Sequence, residues 1–215
     1  MAKAYPSRRG APPAMRKGDL REQQILDAAE TLLATRGYVH MTVSDIAETA
    51  GMTRSGVYFY FASKQDILIA LVARTGQTLQ RGAEEVLGRS GPVKEIIPAA
   101  LEYTAGQWRD HGVVLRAAVD FASTVPEVDR MWTETAHAIA EAVAELLVRG
   151  GLPSGDGPDE ASAVARMLCW MVERGFYQAS RISEQELERT LQSCQWVWLR
   201  VLPDADSLTK SDFRS

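Results

Sequence analysis

"TVSDIAETAGMTRSGVYFYF", residues 42–61, carries two short helical patterns separated by a glycine and ends in four consecutive aromatics. Thr42 is a natural helix cap. Asp45, three residues on, completes a capping-box pattern with Asp in place of Glu or Gln. Val43, Ile46, Ala47 and Ala50 form one buried stripe, so a helix is expected over 43–50. Gly51-Met52 makes a tight turn. Thr53 caps a second helix that reaches about Tyr60. Two short helices joined by a glycine turn make a helix-turn-helix, whose second helix can enter the major groove of DNA. From spacing alone, a helical hairpin with a packed aromatic end remains the alternative.

Helix geometry indicates which side chains could face DNA. With Val57 turned into the core, Arg54 and Phe61 fall within about 60° of it, and Ser55 and Phe59 lie on the far side. Tyr58 and Gly56 take the two flanks. The outward face is therefore Ser55, Gly56, Tyr58 and Phe59. Gly56 permits close backbone approach, Tyr58 can donate to a phosphate or base edge, and Phe59 can press on a thymine methyl. Arg54 is long enough to reach guanine or phosphate. Thr42, Thr53 and Ser63 open successive helices, whose free N–H groups attract phosphate. Lys64 adds a full charge at the third of these ends.

Outward from this stretch the chain continues as helices. No strand-like alternation of any length occurs, and amphipathic helical patterns cover most of residues 20–202, so the fold class is all-α. A helix over about 20–36 ends at Gly37. Ser63 and Asp66 repeat the capping pattern for a helix running to about Leu87. Further helices are expected over about 92–110, 112–122, 126–149, 159–181 and 183–202. Pro98 should kink the first of these or mark its true start.

The chain has 215 residues, a formal net charge of −4 and two cysteines, Cys169 and Cys194. A core of useful size can be buried at this length. There is no run of 18 uncharged apolar residues to span a membrane, and the basic start lacks the apolar centre of a secretory signal. A reducing, cytoplasmic setting with free thiols is the expectation. Charge is uneven: residues 1–74 carry net +3 and residues 75–215 net −7. Residues 1–21 hold six basic side chains against Asp19 alone. A basic arm on an acidic chain points to a polyanion at one end, or to a solvated tail. His40, His111 and His137 are scattered without metal spacing. No nucleophile elbow, phosphate loop or cysteine pair occurs, so neither catalytic residues nor cofactors nor metals are expected.

From Ile25 to Leu68 the sequence resembles the tetracycline-repressor (TetR) family of bacterial regulators. The resemblance rests on "ILDAAETLLATRGY" and "MTVSDIAETAGMTRSGVYFYFASKQDIL". It implies a three-helix DNA-binding domain followed by a larger helical domain that dimerises and encloses a small-molecule pocket. It carries DNA contacts to Thr42, Thr53, Arg54, Ser55, Tyr58, Phe59, Tyr60 and Lys64. Where the family often has Tyr-Tyr-His-Phe, this chain has Tyr58-Phe59-Tyr60-Phe61, which removes a hydroxyl at Phe59 and puts a phenol at Tyr60. "HGVVLRAAVDFASTVPEVDRMW" and "WMVERGFYQAS" are similar to the branch containing the mycobacterial ethionamide-activation repressor, where the pocket is a long, largely apolar tube.

The expected layout is a basic disordered arm (1–21), a helix-turn-helix domain (22–68), a ligand-binding and dimerisation domain (69–202) and a flexible tail (203–215). Taken singly, the apolar stripes of the larger domain read as core; together they read as pocket wall. Candidate ligand contacts are Thr104, Trp108, Phe121, Trp132, Cys169, Val172, Glu173, Phe176 and Trp198. Glu173 reads either as a polar anchor or as a salt-bridge partner, and Trp170 is placed toward a partner subunit. The implied function is a homodimeric repressor that leaves a double-stranded operator when a small apolar or aromatic, mostly uncharged effector binds. The alternative is a small-molecule sequestering protein with a vestigial helix-turn-helix.

Overall fold

The computed structural model describes residues 17–203 and is helical throughout the regular part of that range. Among the described residues eight helices follow one another: α1 (Lys17–His40), α2 (Val43–Thr49), α3 (Arg54–Tyr60), α4 (Lys64–Leu87), α5 (Val93–Ala122), α6 (Pro126–Arg149), α7 (Ala161–Ala179) and α8 (Glu184–Arg200). The chain forms two compact units that divide between Ile67 and Leu68, inside α4.

In the first unit α2 packs against α1 and α3. Ile25, Ala29, Ile46, Val57 and Ile67 are fully buried at its centre. Local chemistry fixes each helix start. Thr42 Oγ1 accepts from the Asp45 amide, and the Asp45 carboxylate accepts from the Thr42 amide at 2.9 Å, so the capping box forms as expected. Thr53 Oγ1 accepts from the Gly56 amide, and Ser63 Oγ from the Asp66 amide, both at 3.1 Å. The turn between α2 and α3 closes with Gly51 at φ 64°, while the Met52 amide reaches back to the Ala47 carbonyl at 2.8 Å. A left-handed residue is needed there, and glycine supplies it without Cβ strain.

Two boundaries of α1 differ from the sequence expectation. The helix already runs from Lys17, so residues 17–21 of the expected arm are helical; Asp19 in the first turn complements the helix dipole. The rest of the arm, 1–16, and the tail from 204 lie outside the described residues. At the other end Gly37 (φ 72°, ψ 163°) interrupts the helix as expected, and one more turn follows to His40.

In the second unit α5 packs against α6, α7 and α8. Leu68, Leu71, Ile97, Leu115, Leu146, Leu147, Phe176 and Leu191 are its large fully buried residues. The expected division near residue 111 is present as a kink: α5 spans Val93–Ala122 as two helical segments joined at His111, which is out of helical geometry (φ −122°, ψ 19°). Val114, Leu115 and Ala118 resume the buried stripe directly after it. Pro98 sits inside the helix without breaking it. Its missing N–H leaves the carbonyl of Lys94, an exposed residue within reach of water, without an intrahelical partner.

Elsewhere in this unit, side chains close backbone ends. Arg149 donates to the carbonyls of Leu87 (3.0 Å) and Arg89 (2.6 Å), satisfying the free carbonyls at the end of α4. The Tyr103 hydroxyl donates to the Thr78 carbonyl at 2.8 Å, with its ring seated over Gly82, where a Cβ would lie 2.0 Å from the phenol oxygen. No described helix is long and apolar enough to cross a membrane.

Candidate DNA-reading face and effector pocket

The one fully buried side chain of α3 is Val57; Phe61, just past its end, is also buried. Everything opposite them is turned outward. Phe59 is 83 % exposed and Tyr58 42 % exposed. Thr53, Arg54 and Ser55 are exposed, and Gly56 and Tyr60 are half-buried. Large aromatics seldom stay this open without a partner. The face expected from 100° geometry is therefore the one the fold presents.

Three contacts organise this face. Arg54 donates to the Tyr58 hydroxyl at 3.2 Å, with its guanidinium carbon 5.4 Å from the ring centroid. The Thr53 and Ser55 hydroxyls are 3.1 Å apart. Tyr60 meets Phe59 edge-on at 5.2 Å. Gly56 has a second role beyond backbone approach: a Cβ there would lie 3.2 Å from Thr53 Oγ1 and crowd the cap itself.

Lys64 is placed differently from the free charge that the sequence implied. Its ammonium donates to the Tyr38 carbonyl at 2.9 Å and lies 4.3 Å from the Tyr38 ring centroid. Tyr38 therefore belongs to the site although the sequence assigned it no role; its only signal was its place at the end of the "ATRGY" segment. Partial burial pushes the Tyr38 phenol above its usual range. Arg36 pairs with Asp45 at 2.8 Å. Hydrogen bonds from Thr42 hold the Asp45 carboxyl below the ordinary carboxylate range, with Arg36 adding to the effect and desolvation opposing it.

The second unit contains a cavity of about 90 Å3. Seven of the nine expected ligand contacts line it: Thr104 and Trp108 from α5, Trp132 from α6, Cys169, Val172 and Glu173 from α7, and Trp198 from α8. Two expected contacts do not. Phe176 is fully buried and stands behind Trp108, ring to ring at 6.5 Å and 74°, so it supports the wall rather than forming it. Phe121 lies on the last turn of α5, about 20 Å along the axis from Trp108, too far to reach the same cavity.

The sequence reading missed Leu79 and Ala83 of α4 and Arg166 of α7, which also line the cavity. The signal for the α4 pair was their i, i+4 spacing on a helix read only as a connector. Trp170 lines the cavity and is also 58 % exposed, which sets it at the mouth.

Glu173 is half-buried and accepts a hydrogen bond from Trp132 Nε1 at 3.0 Å. Burial pushes its carboxyl above the usual range, while the Trp132 bond and the nearby Arg174 charge pull the other way. Burial first, and the Glu173 charge second, push the Cys169 thiol up to about 12. Cys194 is buried and raised to about 11 by desolvation; both cysteines are free. Trp198 Nε1 is buried with no hydrogen-bond partner.

Comparison with known proteins bears on both sites. Residues 25–71 match the family model described as bacterial regulatory proteins, tetR family. Over 200 residues the chain is 27 % identical to the HTH-type transcriptional regulator EthR of Mycolicibacterium smegmatis, covering 90 % of this chain and 91 % of that protein. With EthR of Mycobacterium tuberculosis it shares 32 % identity over 129 residues, 58 % of this chain and 59 % of the other. Among solved structures, a transcriptional regulator from Saccharomonospora viridis, crystallised in complex with choline, superposes with a TM-score of 0.70 at 19 % identity. That match covers 83 % of this chain and 94 % of the other.

Proposed function

This chain belongs to the tetR family of bacterial regulatory proteins, and on that premise we propose that it is a cytoplasmic, homodimeric repressor, without enzymatic activity, that releases its operator when a small effector enters the aromatic pocket of the second unit. Its relatives are transcriptional regulators, and it is a DNA-binding transcription regulator of the same kind.

The observation that carries the DNA-reading half is the outward aromatic face of α3. Phe59 and Tyr58 gain nothing for the fold by standing in water. Both suit a groove, where Phe59 can cover a thymine methyl and the Arg54–Tyr58 pair can reach a base edge or a phosphate. Thr42, Thr53, Ser55, Tyr60 and Lys64 surround that face and suit backbone contacts. The basic residues of the arm add to the same polyanion attraction. A sequestering protein would have no use for this exposed face.

Dimerisation is supported by the outer faces of α7 and α8. Met167, Trp170 and Trp196 are about three-fifths exposed there, and two such helices from each subunit can pair as a four-helix bundle. Two α3 helices would then address the halves of a near-palindrome in successive major grooves. Helix α4 carries residues of both units, including Lys64 at one end and the pocket residues Leu79 and Ala83 at the other. An effector that favours the arrangement unable to bind DNA would release the operator through this helix; a coupling of ~1–3 kcal/mol suffices.

The test is a gel-mobility assay with DNA from upstream of the protein's own reading frame. Tight, salt-dependent retention of a near-palindromic fragment is expected. Weak retention without sequence preference would favour the sequestering reading.

A further inference from the structure

Glu173 is the one carboxylate among the described residues that line the pocket; the two basic residues of the wall, His137 and Arg166, form no ion pair with it. Its hydrogen bond comes from a neutral indole, Trp132 Nε1. The arginines nearest in the chain are engaged elsewhere. Arg166 pairs with Asp156 at 2.6 Å, and the Arg174 guanidinium lies over the Tyr177 ring at 5.0 Å. Arg174 therefore acts on Glu173 only at a distance. A carboxylate drawn into an apolar, aromatic wall without a paired cation is costly in the empty protein. A ligand that brings the missing charge relieves that cost.

The surrounding residues are those that bind cations when a carboxylate alone would not suffice. Trp108, Trp132, Trp170 and Trp198 all line the cavity. Indole rings attract ammonium groups through their quadrupole, more strongly when water is excluded. An independent feature points to a ligand as well. Trp198 is only 3 % exposed, and its Nε1–H is buried with no acceptor. A buried donor left unsatisfied is destabilising, and an acceptor atom on a bound molecule would satisfy it.

We propose that the effector is an organic cation: an amine or quaternary ammonium group held beside Glu173 among the tryptophans, on a compact apolar or aromatic body that offers a hydrogen-bond acceptor to Trp198. This refines the effector reading above and rests on it, replacing the uncharged molecule expected from the sequence. The cavity of about 90 Å3 admits only a small head group as it stands. A larger body would extend toward the mouth beside Trp170, which is 58 % exposed.

The test compares benzyltrimethylammonium with neopentylbenzene, its uncharged carbon isostere, by tryptophan fluorescence and calorimetry on the full chain. The cation is expected to bind roughly tenfold tighter or better. Glu173→Gln, which keeps the shape and can still accept from Trp132, should abolish that preference. The proposal is overturned if the isostere binds as tightly as the cation, if neither binds, or if the variant keeps the preference. The wild-type comparison decides the matter even if the variant folds poorly. A parallel gel shift without ligand separates the two readings. Operator binding with no cation preference removes the cation and leaves the regulator; absent operator binding removes the regulator whatever the pocket holds.

Discussion

The ammonium of Lys64 and the backbone carbonyl of Tyr38 meet at 2.9 Å, so the first residue of α4 is tied to the turn that follows Gly37. The same ammonium lies over the Tyr38 ring. A side chain read from sequence as a phosphate ligand is thus also a strut of the small unit. Lys64→Ala should lower stability by roughly 1 kcal/mol, the net worth of such a bond at a partly exposed site. If Lys64 also meets a phosphate, the same change reduces the salt slope of operator binding by about one. Thermal melts and affinities at two salt concentrations distinguish the two; a lower melt with an unchanged slope leaves Lys64 as a strut only.

Arg54 and Tyr58 should behave as one unit in DNA binding. Arg54 donates to the Tyr58 hydroxyl and covers its ring. Arg54→Ala and Tyr58→Ala are each expected to weaken operator binding by ~1–3 kcal/mol and to blur sequence preference. Their double mutant should lose less than the two losses added together, with a coupling of at least ~0.5 kcal/mol. Strict additivity in a gel-shift cycle would mean that the pair is not used together.

Phe59 offers the cleanest separation of folding from function. At 83 % exposure it contributes little to the core. Phe59→Ala should leave the melting curve within ~0.5 kcal/mol of wild type. Operator affinity should fall, with the largest loss on sites carrying thymine at the contacted step. Equal affinity for all sites after the change would place Phe59 outside the groove.

Two carboxylates should give opposite pH responses. The folded-state pKa of Asp45 is depressed by its Thr42 hydrogen bonds. Its stabilisation is present above the unfolded value and is lost as pH falls through the depressed one. The folded-state pKa of Glu173 is raised by burial. Relative to the unfolded chain, its contribution is fully present below the unfolded value and is lost as pH rises through the raised one. Asp45→Asn should therefore flatten the acid side of the stability profile, and Glu173→Gln should gain on wild type as pH rises from the ordinary carboxylate range. Melts across pH check both; parallel profiles for either variant and wild type would refute that assignment.

Features set by neighbours in the chain were legible in the sequence. Thr42 with Asp45, Thr53 and Ser63 announced three helix starts because a short polar side chain ahead of an apolar stripe has few other uses. The outward face of α3 followed from a single assumption about Val57. Features set by packing were not legible. Nothing local says that Lys64 turns to a carbonyl 26 residues back. Trp108 and Phe176 occupy equivalent stripe positions, and only packing depth decides which one borders the cavity. Phe121 shows the limit of stripe reasoning, since distance along α5 removes it from the pocket. The break signalled beside Gly112 was legible, and the kink falls at the preceding residue, His111.

The setting of Cys169 determines how this regulator meets oxidants and electrophiles. Its thiol lines the pocket, yet burial and the Glu173 charge raise it to about 12. Both effects disfavour the thiolate, the form that attacks peroxides and alkylating agents. Cys194 is buried and raised as well. An electrophilic compound in the cavity would meet this sulfur as the unreactive thiol. An effector of the kind proposed would then leave the pocket by simple dissociation, with no thiol adduct to be reduced before the site is free again.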